Sequence, residues 1–143
     1  DEVMAFWNAP QEQPDHAGLA CQAALEMLRE IDRLRPLWSH GGLPPLDIGV
    51  GINTGPMVVG NMGSRERLAY TVIGDAVNVA SRLQNLNKEI GTHVLTTETT
   101  RKAAGDRFIY RAIDQVKLRG HDEPLTVYEL LGQDLSIHEQ NAG

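Results

Sequence analysis

The stretch from Tyr70 to Leu83 constrains the fold more than any other part of the sequence. Residues 70–73 form an apolar, β-branched run that is typical of a strand, and Gly74 follows as a turn that opens a helix. Asn78 and Arg82 lie four residues apart, so a helix stacks them on one face. The stretch predicts a strand running directly into a helix with two polar groups on one side. The same spacing is also typical of an ordinary solvent-facing helix.

The rest of the chain predicts strands and helices in mixed order, without an internal repeat. Asp15 is expected to cap a long helix that ends near Leu37, where Pro36 and the glycine-proline stretch 41–45 stop it. The predicted strands are residues 3–7, 46–53, 57–59, 68–72, 92–95, 108–113, 115–118 and 125–131, and further helices span 76–87 and 98–104. Residues 60–66 read as a turn, and 3–7 as a strand buried on both faces. This order predicts an α+β fold in which helices pack on a sheet.

Residues 46–53 give the clearest strand pattern in the chain. Leu46, Ile48, Val50 and Ile52 fall on one face, and Gly49 and Gly51 fall on the other. A strand face that carries two glycines lets a ligand or another backbone come close. We therefore expect substrate or a partner chain to approach this face.

Composition excludes several classes of protein. The formal net charge of −6 disfavours a general nucleic-acid binder or a protein that binds anionic membranes. Cys21 is the single cysteine, which excludes an internal disulfide framework and a cysteine-rich zinc site. No apolar run approaches the roughly 20 residues that span a bilayer, so we expect a domain in the cytoplasm.

Several stretches occur in the order and spacing of a known family. The sequence resembles the catalytic domains of class III nucleotidyl cyclases, and bacterial adenylate cyclases most closely. The stretches that carry the resemblance are Asp1-Glu2-Val3-Met4-Ala5-Phe6-Trp7, Ile48-Gly49-Val50-Gly51-Ile52-Asn53-Thr54-Gly55-Pro56, residues 70–82, Val116-Lys117-Leu118-Arg119-Gly120 and Val127-Tyr128-Glu129-Leu130. The resemblance covers residues 1–132 as one catalytic domain and leaves 133–143 as a polar tail. It implies the ferredoxin-like palm of these enzymes, whose sheet is mostly antiparallel.

The resemblance assigns a role to each of five residues. Asp1 matches the second of two aspartates that hold two Mg²⁺ or Mn²⁺ ions. Asn78 matches the residue that orients the ribose, and Arg82 matches the one that stabilises charge on the reacting phosphate. Arg119 lies where a basic residue reaches the triphosphate. Thr71 lies at the position that reads the purine, where Asp or Thr resembles adenine-specific members.

The resemblance also implies a reaction and an assembly. The ribose 3′-oxygen of ATP attacks the α-phosphorus, which yields cyclic AMP and pyrophosphate, while two metal ions activate the hydroxyl and neutralise the triphosphate. An arginine offers a planar set of donors to the developing charge. Each site is expected at the interface of a head-to-tail homodimer.

The sequence lacks part of the family pattern. The first metal aspartate, the lysine that helps to read adenine and the first strand would all lie upstream of Asp1, so the N-terminal part of the domain is absent from this sequence. A regulatory module, with a possible membrane tether, is also expected upstream. Three alternatives stay open: a guanylate cyclase, a cyclase-like module that only dimerises or senses nucleotides, and an unrelated α+β binding domain.

Overall fold

The computed structural model describes residues 2–44, 46–118 and 123–135, and its elements alternate along the chain. The helices are α1 (His16–His40), α2 (Asp75–Ile90) and α3 (Glu98–Ala104). The strands are β1 (Val50–Ile52), β2 (Val58–Ser64), β3 (Arg67–Ile73), β4 (Val94–Thr97), β5 (Phe108–Val116) and β6 (Leu125–Gln133). No helix within these residues is both long enough and apolar enough to cross a bilayer.

Four of the strands form one sheet in the order β1-β4-β6-β5. β1 runs parallel to β4, whereas β6 is antiparallel to both β4 and β5. β2 and β3 pair separately as an antiparallel hairpin, which leads into α2. The predicted α+β fold, with helices on a mostly antiparallel sheet, is confirmed.

The sheet is covered by helices on both faces. Val94 packs in a core cluster with Cys21 and Leu25 of α1, whereas its neighbour Leu95 packs in a second cluster with Leu83 of α2. Adjacent strand residues point to opposite faces, so α1 and α2 lie on opposite sides of β4. Along the chain, α2 follows the β2–β3 hairpin and precedes β4.

Gly51 of β1 and Gly49 just before it make room for α2. A Cβ atom on Gly51 would lie 2.1 Å from the carbonyl oxygen of Ala80 and 2.5 Å from the backbone nitrogen of Gln84. At Gly49 it would lie 3.1 Å from the carbonyl oxygen of Gln84. The expectation that substrate or a partner approaches this face is therefore wrong, because the chain's own helix fills it. The glycines also allow another backbone to come close, and the structure shows the backbone of α2 in this position.

The strand predicted at residues 3–7 is not formed. No strand in the described part of the chain pairs with these residues, and an extended segment without a partner has no hydrogen-bonded ladder to hold it in a sheet. Val3 is 95% exposed and Met4 is 50% exposed, so the prediction of burial is wrong as well.

Other boundaries differ where pairing or hydrogen bonding overrides the local sequence signal. β1 is confined to residues 50–52, the part that is in register with β4. α1 continues through Pro36 to His40, and its end is closed by the Gly41 N–H donating to the Leu37 carbonyl at 3.1 Å. The predicted break at residue 114 is a bulge within one strand, where Asp114 has φ 100°.

Candidate functional site

The junction of β3 and α2 places two of the predicted site residues one helical turn apart. Gly74 has φ 147°, a conformation that favours glycine, and α2 begins at the next residue. Val79 and Leu83 are buried against the sheet, whereas Asn78 is exposed and Arg82 is half-buried. The amphipathic pattern of α2 therefore presents these two polar side chains away from the core.

The side chains of Arg82 and Asn78 have no polar partner within residues 2–44, 46–118 and 123–135. Neither side chain forms a hydrogen bond or an ion pair there. An arginine side chain without an anionic partner in the described residues has all of its donors available for an anionic ligand. The arrangement can bind an anion at Arg82 and a hydroxyl or carbonyl at Asn78, one turn nearer the start of the helix.

Thr71 lies on the strand that leads into this helix. It is half-buried in β3 and pairs across the hairpin with Gly60 of β2. Directly opposed residues of an antiparallel pair share a face, so Thr71 shares its face with Gly60 and with the next pair, Val58 and Ile73. The structure thus places Thr71, Asn78 and Arg82 on two consecutive elements that meet at Gly74.

The remaining predicted residues lie outside the described part of the chain. These are Asp1, predicted as a metal ligand, and Arg119, predicted to bind the triphosphate. The adjacent segment is described: the Ser81 hydroxyl donates to Glu2 at 3.2 Å, and the rings of Phe6 and Tyr70 are 5.8 Å apart. Residues 2–6 therefore contact α2 and β3, the two elements that carry Thr71, Asn78 and Arg82.

A polar network holds the first turn of α2 against the sheet. The Asn53 amide donates to the Ala76 carbonyl at 3.1 Å, and its oxygen accepts from the Thr97 hydroxyl at 2.7 Å. The hydroxyls of Thr54 and Thr100 lie 2.9 Å apart. Sequence reasoning missed these residues. The available signal was the polar pair that follows β1 and the threonines that flank the start of α3.

A cleft of about 720 Å³ opens at the same end of the sheet. It is lined by Asn53, Thr54, Asp75, Glu98 and Thr126, among others. Thr71, Asn78 and Arg82 are not part of this lining. The predicted site therefore does not lie inside this cleft.

Two groups whose pKa values are raised by burial lie elsewhere, in the core under α1. Burial raises the pKa of the Cys21 thiol to about 11, and burial also raises the pKa of Tyr110. Both side chains belong to or pack against the cluster formed by α1 and the sheet. Cys21 is completely buried, which agrees with the prediction that it fills space in the core.

Comparison with known proteins gives consistent matches. A model of the family described as the adenylate and guanylate cyclase catalytic domain matches residues 1–132. Adenylate cyclase 1 of Rhizobium meliloti (strain 1021) is 38% identical over 143 residues, which cover all of this chain and 22% of that protein. An adenylate cyclase of Anabaena cylindrica is 38% identical over 134 residues, covering 91% of this chain and 26% of that protein. The chain thus spans about a quarter of these relatives.

Solved structures agree with these matches. The guanylyl cyclase Cya2 superposes with a TM-score of 0.83 at 33% identity, covering 94% of this chain and 70% of that one. The adenylyl cyclase CyaB from P. aeruginosa superposes with a TM-score of 0.80 at 29% identity, covering 90% of this chain and 66% of that one.

Proposed function

Because this chain belongs to the family of adenylate and guanylate cyclase catalytic domains, as its motifs predicted, we propose that it converts ATP to 3′,5′-cyclic AMP and pyrophosphate. The observation that carries the proposal is Arg82, a half-buried residue whose guanidinium has no anionic partner in the described residues and which lies one turn from Asn78. A triphosphate supplies the anion that this cation lacks.

The proposed reaction uses these side chains in separate roles. The ribose O3′ attacks the α-phosphorus, the bond from that phosphorus to the pyrophosphate oxygen breaks, and the O3′ proton is lost. Arg82 stabilises the charge that develops on the phosphate, where a preorganised donor acts most strongly. Asn78 orients the ribose, Thr71 reads the edge of the base, and Arg119 binds the triphosphate.

Two Mg²⁺ or Mn²⁺ ions belong to the proposed site, with Asp1 as a ligand. In the part of the chain that the structure describes, no group of three or more His, Cys, Asp or Glu side chains is placed to hold a metal. Asp1 lies outside the described residues, and the roles proposed for Arg82, Asn78 and Thr71 are argued from those side chains alone.

We further propose that two copies assemble head to tail, so that each site takes residues from both. The β2–β3 hairpin supports this, because it is not hydrogen-bonded to the four-stranded sheet. Its residues Val58, Leu68 and Ile73 are 62%, 64% and 54% exposed, so apolar side chains are available on it for contact with a second copy. We place the domain in the cytoplasm, where ATP is available, behind an upstream regulatory module.

A guanylate cyclase is the second candidate, and Thr71 is the residue that favours ATP over GTP. A cyclase-like module without activity is the third candidate. Arg82 and Asn78, whose side chains have no polar partner in the described residues, favour an active cyclase over such a module. Cyclic AMP and cyclic GMP formation by the full-length protein, measured with Mn²⁺, separates all three. Cyclic AMP is the expected product, and predominant cyclic GMP would contradict the role of Thr71.

Arg82→Ala tests the role of the guanidinium. Turnover should fall far more than nucleotide binding, since the contact matters most in the transition state. Lys88→Ala removes an exposed cation from the last turn of the same helix and is the matched control. Equal losses of turnover and binding would contradict the role of Arg82. Folded protein that binds ATP and forms neither product would favour the non-catalytic module.

A further inference from the structure

Gly60 is a glycine in the middle of a strand, where glycine is unfavourable. A strand interior loses stability at glycine because the residue has no side chain to pack and more conformational freedom to give up. Sequence analysis predicted a turn at residues 60–66, but the structure places Gly60 inside β2 and restricts the turn to residues 65 and 66. The presence of glycine here therefore needs another reason.

The fold provides a reason for neighbouring glycines but not for Gly60. Gly51 faces the backbone of α2, and Gly63 and Gly74 have φ values of 124° and 147°, which favour glycine. Gly60 has no such φ value, and a Cβ atom added to it would meet nothing within 4 Å in the described residues. The chain itself would accept a side chain at this position.

The empty space lies directly beside Thr71. Gly60 is the cross-strand partner of Thr71, so both present the same face of the hairpin. On that face the pair is bordered by Val58 and Ile73 at one end, both more than half exposed, and by Met62 at the other. The result is a shallow apolar depression with one hydroxyl at its edge.

We propose that Gly60 is a substrate-binding residue: the space left by its missing side chain holds the face of the purine base whose edge Thr71 reads. A flat heteroaromatic ring fits this surface, because it has an apolar face to lie over Gly60 and a polar edge for the Thr71 hydroxyl. The inference rests on the proposed function, since Thr71 is placed at the base there.

The test compares Gly60→Val with Gly132→Val in the full-length protein. Gly132 is the matched control, because it also lies in a strand, has no positive φ and has open space where a Cβ would be. For each variant the assay measures the KM for ATP and the inhibition constant of pyrophosphate, which has no base. Gly60→Val should raise the KM for ATP about tenfold or more, because the valine methyl groups would occupy the space proposed for the base. The inhibition constant of pyrophosphate should not change, and Gly132→Val should change neither value.

Each other outcome has a definite meaning. An unchanged KM in Gly60→Val overturns the inference. Equal increases in both constants, with weaker self-association by sedimentation, mean that a second copy of the chain covers Gly60 instead of the base, which also overturns it. If Gly60→Val does not fold, Gly60→Ala is used with Gly132→Ala.

Failure of the proposed function is visible separately, in the unsubstituted protein. If that protein forms no cyclic nucleotide, calorimetric binding of ATP and of inorganic triphosphate replaces the kinetic constants. Weaker ATP binding in Gly60→Val, with triphosphate binding unchanged, would then support the base-facing role of Gly60 without cyclase activity. Equal ATP binding in both proteins would overturn it.

Discussion

Gly51→Ala should destabilise the domain strongly, because its methyl group has no space. The new Cβ would lie 2.1 Å from the Ala80 carbonyl oxygen, 2.5 Å from the Gln84 nitrogen and 2.9 Å from the Leu83 Cβ. Carbon–oxygen contacts close at about 3.3 Å, so α2 and β1 must separate by about 1 Å. Since two of the three atoms are backbone, no side-chain rotation can relieve the overlap.

The magnitude follows from the kind of atom that must move. Adding a methyl group to a well-packed core costs about 1–3 kcal/mol, and a backbone clash belongs at the upper end, near about 3 kcal/mol. For a domain of this size that loss lowers the melting temperature by about 10 °C. The displaced helix also carries Asn78 and Arg82, and a shift of about 1 Å at a reacting group costs about a hundredfold in rate.

Urea unfolding of Gly51→Ala and Gly132→Ala tests this reasoning. Gly132 has open space at the Cβ position, so its substitution should leave stability unchanged or raise it by up to about 1 kcal/mol. If Gly51→Ala lies within about 0.5 kcal/mol of the unsubstituted protein, the close packing of α2 on β1 is refuted.

Three further predictions address the base, the helix anchor and the core. Thr71→Val should change the ratio of cyclic AMP to cyclic GMP by about threefold to tenfold, the value of one hydrogen bond, and alter the maximal rate less; Thr71→Ser should keep the ratio. Asn53→Ala removes the bonds to Ala76 and Thr97 and should lower the free energy of unfolding by about 1–3 kcal/mol in urea, whereas Asn61→Ala, on the exposed hairpin, should not. Because burial raises the pKa of Cys21 to about 11, the buried neutral thiol stabilises the fold fully below about pH 9. As the pH rises from about 9 towards about 11, the free energy of unfolding should fall by about 1.4 kcal/mol per pH unit. In Cys21→Ala the free energy of unfolding should depend less steeply on pH over that range.

Local sequence signals predicted those elements that depend on local interactions. The helix at residues 98–104 has the predicted bounds, because Thr97 caps it through the Thr100 N–H and Gly105 ends it. The placement of Asn78 and Arg82 one turn apart on α2 also follows from spacing alone, although their roles stay predictions. Strand bounds were less accurate, because pairing decides them: residues 46–53 pattern as a strand, and only 50–52 meet a partner.

The residues that support the candidate site could not be predicted, because their partners are distant in sequence. Asn53 holds α2 through a carbonyl 23 positions away and through Thr97, 44 positions away. The polar pair after β1 and the threonines around the start of α3 are visible in the sequence, but no local feature shows that they bond to each other or to α2. The prediction of a buried strand at residues 3–7 was wrong for a related reason. An apolar pattern indicates which side chains prefer burial, but it does not show which strand, if any, pairs with the segment.

Gly51 and Gly60 show why the meaning of a strand glycine depends on tertiary contacts. Both lie inside strands and directly follow a valine, so the sequence alone does not tell their roles apart. At Gly51 the space of the missing side chain is occupied by the chain's own helix, and substitution should cost folding free energy. At Gly60 the space is empty within the described residues, and substitution should cost binding instead. In a comparison of the two variants, substitution of Gly51 should therefore cause the larger loss of stability, and substitution of Gly60 should cause a loss of ligand binding without a loss of stability. A loss of stability at both positions would mean that Gly60 is also required by the fold.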